Sequence, residues 1–270
     1  VGNNPCFFYL KRGEMMGNTI KDSLYFSLNN VSCRNFGLMQ VNLSGGLFEE
    51  QLHANRNIIE TKVANNDTPL FHGVEESPLE FDMMIAFEDE FTDNDINDVV
   101  LWLFQENYKE LIFDNKPDKV FMAMVIGDSN LIHNGLKNGY ITLRIRCKSS
   151  NINSPVITTD TYHVVGTQQI VINNSGHKDI YPEISITNAT GEVKIVNETI
   201  STDIFKLTDM IVTDDIYINC QKEIVETGVT GYYIYDRVFG NYPRLIKGIN
   251  TLKITGNCDI QLRYRLKYKF

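Results

Sequence analysis

Apolar residues fall at every second position over Leu79, Phe81, Met83, Ile85 and Phe87, and again over Ile260, Leu262, Tyr264, Leu266, Tyr268 and Phe270. A period of two places alternate side chains on one face, so each stretch predicts a strand with one buried side. In the second stretch Gln261, Arg263, Arg265, Lys267 and Lys269 occupy the intervening positions. That predicts an antiparallel sheet with one wet face. The "TGN" at residues 255–257 predicts a turn that pairs this segment with residues 251–254. Near the start, residues 24–28 and 38–43 carry β-favouring side chains around an Asn-rich turn, which predicts a hairpin or two linked strands. Residues 45–78 are polar with isolated apolar positions, the pattern of an extended arm or a long loop, and such segments are usually functional, often as contacts to a neighbour.

The period changes once. After Thr92, the residues Ile96, Val99, Val100, Leu103 and Phe104 follow the i, i+3, i+4, i+7, i+8 spacing of one helix face, with Leu101 and Trp102 widening it. Thr92 is a good N-cap and Asp95 completes a capping box, while Asp93 and Asp95 suit the positive end of the helix dipole. The helix should lie against a sheet. "KELIFD", "VFMAMVIG" and "GYITLRIRCKS" then predict three strands, separated by Pro117 and by the turn-rich "NGLKNG".

Composition shifts at "KSSNINSP". The division read from it is a first domain over residues 16–150, a linker over 151–157 and a second domain over 158–270. The second is almost wholly short strands, "HVVGTQQIVIN", "EISITN", "EVKIVN", "IFKLTD", "DIYINCQ" and "TLKITG" among them. Strands at this spacing with no helix signal predict a β-sandwich or jelly roll. The fold class is therefore mainly β: an N-terminal β-fold with one α-helix, then a C-terminal antiparallel β-sandwich. In front of both, "KRGE" at residues 11–14 is what a translated ribosome-binding sequence before Met15 or Met16 would give. Residues 1–15 are thus either upstream sequence read from a misassigned start or a true N-terminal arm.

With 270 residues, 43% of them hydrophobic, the chain is apolar enough for a sizeable core. A formal charge of -9 argues against a sequence-independent grip on nucleic acid, since the only basic cluster, "RYRLKYK", lies in a strand. Five cysteines without C-x-x-C spacing point to reduced thiols made in a cytoplasm. No apolar stretch approaches the ~20 residues of a membrane helix.

The chemistry is mostly negative. "DNDIND" from Asp93 resembles a calcium loop, but Asp98 stands where Gly is required and Phe104 where a bidentate Glu is required. The histidines His53, His72, His133, His163 and His177 have no zinc spacing. No nucleophile elbow, phosphate loop or dinucleotide fingerprint occurs. No pair among 34 acidic residues stands out for hydrolysis. These residues predict no catalytic group, no cofactor and no metal. Tyr232, Tyr233, Tyr235 and Tyr242 could stack on sugar, or simply pack a strand-rich core and its edge loops.

"LYFSLNNVSCRNFGLMQVN" resembles the opening of phage distal tail proteins, the baseplate hub component of long-tailed phages with non-contractile tails. The likeness continues in order through "SPLEFDMMIAFEDEFTDNDINDVVLWLFQENYKELIFDNKPDKVFMAMVIGD", "GYITLRIRCKSS" and "GTQQIVINNSGHKDIYPEISITNATGEVKI". It ends in "NYPRLIKGINTLKITGNCDIQLRYRLKYKF", with the family's P-x-L-x-x-G-x-N turn. It covers nearly everything after Met16. Two features depart from it: the arm has no P-G-R-D-G-like turn, and the second domain has no room for an inserted carbohydrate-binding module.

The resemblance implies a homohexameric ring at the virion tail tip, assembled in the host bacterial cytoplasm. First domains would form the ring, joining the tail tube protein on one face and the tail-associated lysin or tail-tip protein on the other. Galectin-like second domains would project outward, and DNA would pass through the ring without specific binding. Open strand edges suit this, because a cyclic neighbour supplies the missing hydrogen bonds. Phe48, Ile58, Ile59, Phe71 and Trp102 are the expected subunit contacts. The alternative is a carbohydrate-binding module that reads a cell-wall glycan through Tyr232, Tyr233, Tyr235 and Tyr242.

Overall fold

The computed structural model describes residues 19–42, 53–133, 139–200, 203–229 and 233–269. The N-terminal segment 1–15 and residues 134–138, all but the last residue of "NGLKNG", lie outside them. The chain separates into two compact units, one built from segments up to Lys148 and one centred on residues 149–270, which also takes in residues 55–77 and 118–120.

The first unit opens with β1 (Phe26–Leu28) and β2 (Val31–Ser32), joined by Asn29 and Asn30, both at positive φ (54° and 63°). Two such residues make the tight turn whose twist matches a hairpin, and Asn tolerates that conformation better than most side chains. A single 3-10 turn, Cys33–Phe36, ends at Gly37 in the left-handed region and leads to β3 (Leu38–Gln40). β1 and β3, within the stretches 24–28 and 38–43, are therefore linked strands rather than a hairpin with each other, since β3 pairs with β6 (Glu80–Phe87). Between β3 and β6 the chain forms β4 (Arg56–Thr61) and β5 (Leu70–Glu76), a separate two-stranded ribbon.

After β6 comes α1 (Asp93–Leu103), with the capping box in place: Asp95 N–H donates to Thr92 Oγ1, and Thr92 N–H donates to Asp95 Oδ2 over 2.7 Å. Then follow β7 (Lys109–Phe113), β8 (Val120–His133) and β9 (Gly139–Cys147). The sheet order is β2-β1-β7-β8-β9-β6-β3, and β1 with β2 and β7, β9 with β8 and β6, and β6 with β3 pair antiparallel. Gln40 N–H of β3 also donates to Leu24 O, just ahead of β1, over 2.8 Å. Phe26, Phe81, Phe113 and Phe121 pack in the interior with ring centroids 5.6–6.4 Å apart.

The second unit contains β10 (Asn151–Asn153), β11 (Ile157–Thr158), β12 (Tyr162–Asn174), β13 (Glu183–Asn197), β14 (Ile204–Met210), β15 (Ile216–Asn219), β16 (Ile224–Thr227), β17 (Val238–Gly240), β18 (Gly248–Tyr264) and β19 (Lys267–Lys269). β18 is its spine, pairing along one side with β11 and β12 and along the other with β13. β13 bends through bulges between Thr187 and Lys194, so that its first half pairs with β15 and its second with β14. The sheet thereby wraps one apolar core that includes Ile184, Ile195, Phe205, Leu207, Leu252 and Leu262.

Two local expectations are corrected here. "TGN" is not a turn: Gly256 sits inside continuous β18 at φ 138°, opposite Gly166 of β12. A Cβ on Gly256 would lie 2.5 Å from the Glu192 carbonyl oxygen, so the glycine permits close approach of β13. Likewise "EISITN" and "EVKIVN" are one strand, with Asn188 and Gly191 at positive φ forming its bend. In both places ladder bonds to flanking strands outweigh the local turn preference.

The described cysteines are free and buried. Burial pushes the thiol of Cys147 up to about 12 and that of Cys258 up to about 11, and raises Cys220 further. No helix among the described residues is long and apolar enough to cross a membrane.

Candidate assembly surfaces

The ribbon β4–β5 carries apolar side chains on both faces. Its register pairs Ile58 with Val74 and Ile59 with Gly73, and after a bulge it pairs Glu60 with Phe71 and Thr61 with Leu70. Ile58, Phe71 and Val74 therefore share one face, and Ile59 and Leu70 the other. Ile58 and Phe71 are each 66% exposed. A lone two-stranded ribbon is marginal in water, and an apolar surface on each side of it gains nothing until something covers it.

The root of the ribbon is held by charge. Glu76 accepts from Lys178 Nζ over 3.0 Å and from Ser150 Oγ over 3.1 Å, with Lys269 Nζ 3.8 Å away. The hydrogen bond from Lys178, helped by Ser150 and Lys269, holds the Glu76 carboxyl below the usual carboxylate range.

Helix α1 shows a second surface. Trp102 stacks on Phe36 at 4.6 Å and on Phe26 at 5.7 Å, and its indole N–H donates to Leu28 O. Val99, Trp102 and Leu103 are buried, while Val100, Leu101 and Phe104 face water, Leu101 at 74% exposure. Of the expected face through Ile96, Val99, Val100, Leu103 and Phe104, Val99 and Leu103 are buried while Val100 and Phe104 are exposed, and the large indole of Trp102 takes the seat against β1. Beside the helix N-terminus, Asn35, Phe36, Gly37, Phe87, Asp89, Glu90, Asp95 and Asp98 line an open cavity of about 380 Å³.

In the second unit Tyr233 is 67% exposed and its ring lies 5.7 Å from that of Tyr235. The Tyr235 hydroxyl accepts from Val225 N–H, and Tyr242 packs on Phe205 at 5.2 Å against the core. Tyr232 and Phe48 fall outside the described residues. Of the expected contacts, then, Ile58, Ile59 and Phe71 gather on the ribbon, Trp102 is interior, and Tyr233 and Tyr235 stand together. Sequence reasoning missed Leu101 as an exposed position; its signal was an apolar stripe wider than one helix face can bury.

Residues 21–149 match the family model of the phage tail protein N-terminal domain, and residues 156–264 match that of the phage tail C-terminal domain. A SPbeta prophage-derived uncharacterized protein of Bacillus subtilis (strain 168), YomH, is 30% identical over 251 residues, covering 92% of this chain and 99% of that protein. The chain belongs to the phage tail protein family. This tail protein also shares its fold with the SPP1 Dit (gp 19.1) protein, a paradigm of the hub adsorption apparatus in phages that infect Gram-positive hosts. The TM-score is 0.66 at 13% identity, over 90% of this chain and 98% of the other. A chain of the phage p2 baseplate in its activated conformation with Ca superposes with a TM-score of 0.51 at 8% identity, over 88% and 97% of the two chains. The tail protein is thus mainly β, with one α-helix among the described residues, and has the distal tail protein fold that its opening and closing motifs imply.

Proposed function

We propose that the tail protein is a structural adaptor of the virion tail tip, a homohexameric ring that joins the tail tube protein to the tail-associated lysin or tail-tip protein. It acts by surface contact, without turnover. The observation that carries this reading is the ribbon β4–β5, which pairs with no other strand among the described residues and exposes apolar side chains on both faces, a surface that gains stability when an assembly covers it. The shared fold with SPP1 Dit supports the hub position. Immunogold labelling of virions with antibody against the tail protein tests it. Gold confined to the tail tip is expected; gold along the shaft or on the capsid would overturn the adaptor reading.

The exposed pair Tyr233 and Tyr235 favours one second reading, a cell-wall glycan site on the second unit. Retention on immobilised host cell wall that is lost in a Tyr233→Ala, Tyr235→Ala variant, with oligomeric mass unchanged, would establish it. Equal retention of both proteins would remove it.

A further inference from the structure

We infer that the free edge of β12 receives a β-strand from another tail polypeptide, which extends the sheet of the second unit by one strand. This deepens the adaptor reading above and rests on it for the setting, a tail in which such a strand is at hand. β12 runs 13 residues and pairs with β18 along its whole length. Among the described residues no strand pairs with its other edge. About 43 Å of strand is thereby left with one side open to pairing.

The rest of the unit keeps its edges short or charged. β11, β16 and β17, each paired on one side only, are 2–4 residues long. The ribbon strands β4 and β5 carry Arg56, Glu60, Glu75 and Glu76. Short edges and charged side chains are what keep sheets from joining one another. β12 has neither protection: Tyr162–Asn174 contains no Lys, Arg, Asp, Glu or Pro. From Thr167 to Asn174 its register runs without a shift, and "TQQIVINN" there is uncharged and half β-branched. Such a segment, bare on an edge, joins other strands.

The occupant follows from what the edge lacks. Its inward side chains Val164, Ile170 and Ile172 are already buried in the core, so the unmet chemistry is backbone rather than apolar surface. A row of N–H and C=O groups at the spacing of a ladder is supplied by another extended polypeptide, which is the chemistry of strand addition. On the outward face Val165 is 84% exposed and Val171 66%, with Ile249 of β18 paired to Asn173 close by. A partner strand with apolar side chains at alternate positions continues that face. In a chain of formal charge -9, this uncharged edge also meets an acidic or a basic partner strand without like-charge repulsion. Pairing with β12 of a second copy is a two-fold contact, which joins copies in pairs and not around a ring.

Amide exchange read by mass spectrometry tests this on the full chain, purified alone and within isolated phage tails. Peptides over residues 167–174 should exchange about tenfold more slowly in tails than in the purified chain. Equal exchange in the two, fast or slow, would overturn strand addition while leaving the adaptor reading standing. A full-length chain with Val165→Lys and Val171→Lys, both at exposed positions, blunts the edge. It should keep wild-type circular dichroism and solution mass, yet fail to restore infectious particles to a phage lacking its own copy. Full restoration would overturn the inference. A wild-type mass above six chains that falls to six in the variant would assign the edge to a second copy and overturn it as well. Absence of the protein from the tail tip by immunogold labelling would instead remove the adaptor reading, and the proposed setting with it.

Discussion

The indole N–H of Trp102 donates to the carbonyl of Leu28 over 3.2 Å, tying α1 to the first strand of the chain across 74 residues of sequence. With Phe36 and Phe26 stacked on its ring, Trp102 sets which side of the helix turns inward. Trp102→Phe keeps most of the packing and loses the hydrogen bond, for a cost of about 1–2 kcal/mol. Trp102→Ala also opens a cavity and should cost about 3–5 kcal/mol. Urea unfolding of the two variants checks the order.

Asn250 explains the closing motif. In Pro243, Leu245, Gly248 and Asn250, the last side chain is fully buried, accepts from Ile246 N–H over 2.9 Å and donates to the carbonyls of Ile246 and Gly248. Asn197 Nδ2 donates to Asn250 Oδ1 as well. One amide thus completes a turn that its own backbone leaves open, and Asn250→Ala strands several buried polar groups. A loss of about 2–4 kcal/mol is expected by the same unfolding assay.

Gly256→Val should be more damaging than its place in a surface-like "TGN" implies. The new Cβ would lie 2.5 Å from Glu192 O, on a backbone at φ 138° that favours glycine. The expected outcome is a chain recovered mainly as insoluble protein, with Thr255→Val as a soluble control at the neighbouring position.

Glu76 predicts a pH dependence of defined sign. Its carboxyl is held below the ordinary value, chiefly by the hydrogen bond from Lys178, so the folded state prefers it ionised. The stability it contributes is present above the unfolded-state value of about 4.3 and is lost as pH falls through the lower folded value. Wild type should exceed Glu76→Gln in unfolding free energy at pH 7, and the gap should close as the pH drops below about 4. A gap that stays constant across that range would assign the effect to something other than the charge. Amide exchange at pH 7 should quicken in Glu76→Gln at the root of the ribbon, around Arg56 and Glu75.

Much of the first unit was legible because local and tertiary signals agree there. Leu79 to Phe87 alternates as β6 does, and Thr92 with Asp95 marks the helix start to the residue. The helix face was right at Val99 and Leu103 but wrong at Val100 and Phe104, because periodicity cannot rank Val100 against Trp102, whereas packing does, by size and by a hydrogen-bond partner far away in sequence. In the second unit Gly256, Asn188 and Gly191 carry turn chemistry, yet each lies within a strand flanked on both sides. Local propensity cannot see that a strand is central. Isolated Ile58, Ile59 and Phe71 in a polar stretch gave the arm but not its pairing, because a ribbon that buries nothing leaves only weak alternation. The proposed assembly surface was therefore visible mainly as an absence of core.

The ring is the central claim, and solution mass tests it most directly. Light scattering of the purified chain over a range of concentration should give six times the chain mass of 30.9 kDa, or a monomer that converts to that species as concentration rises. A strict monomer, or a species that stops at the dimer, would contradict the account.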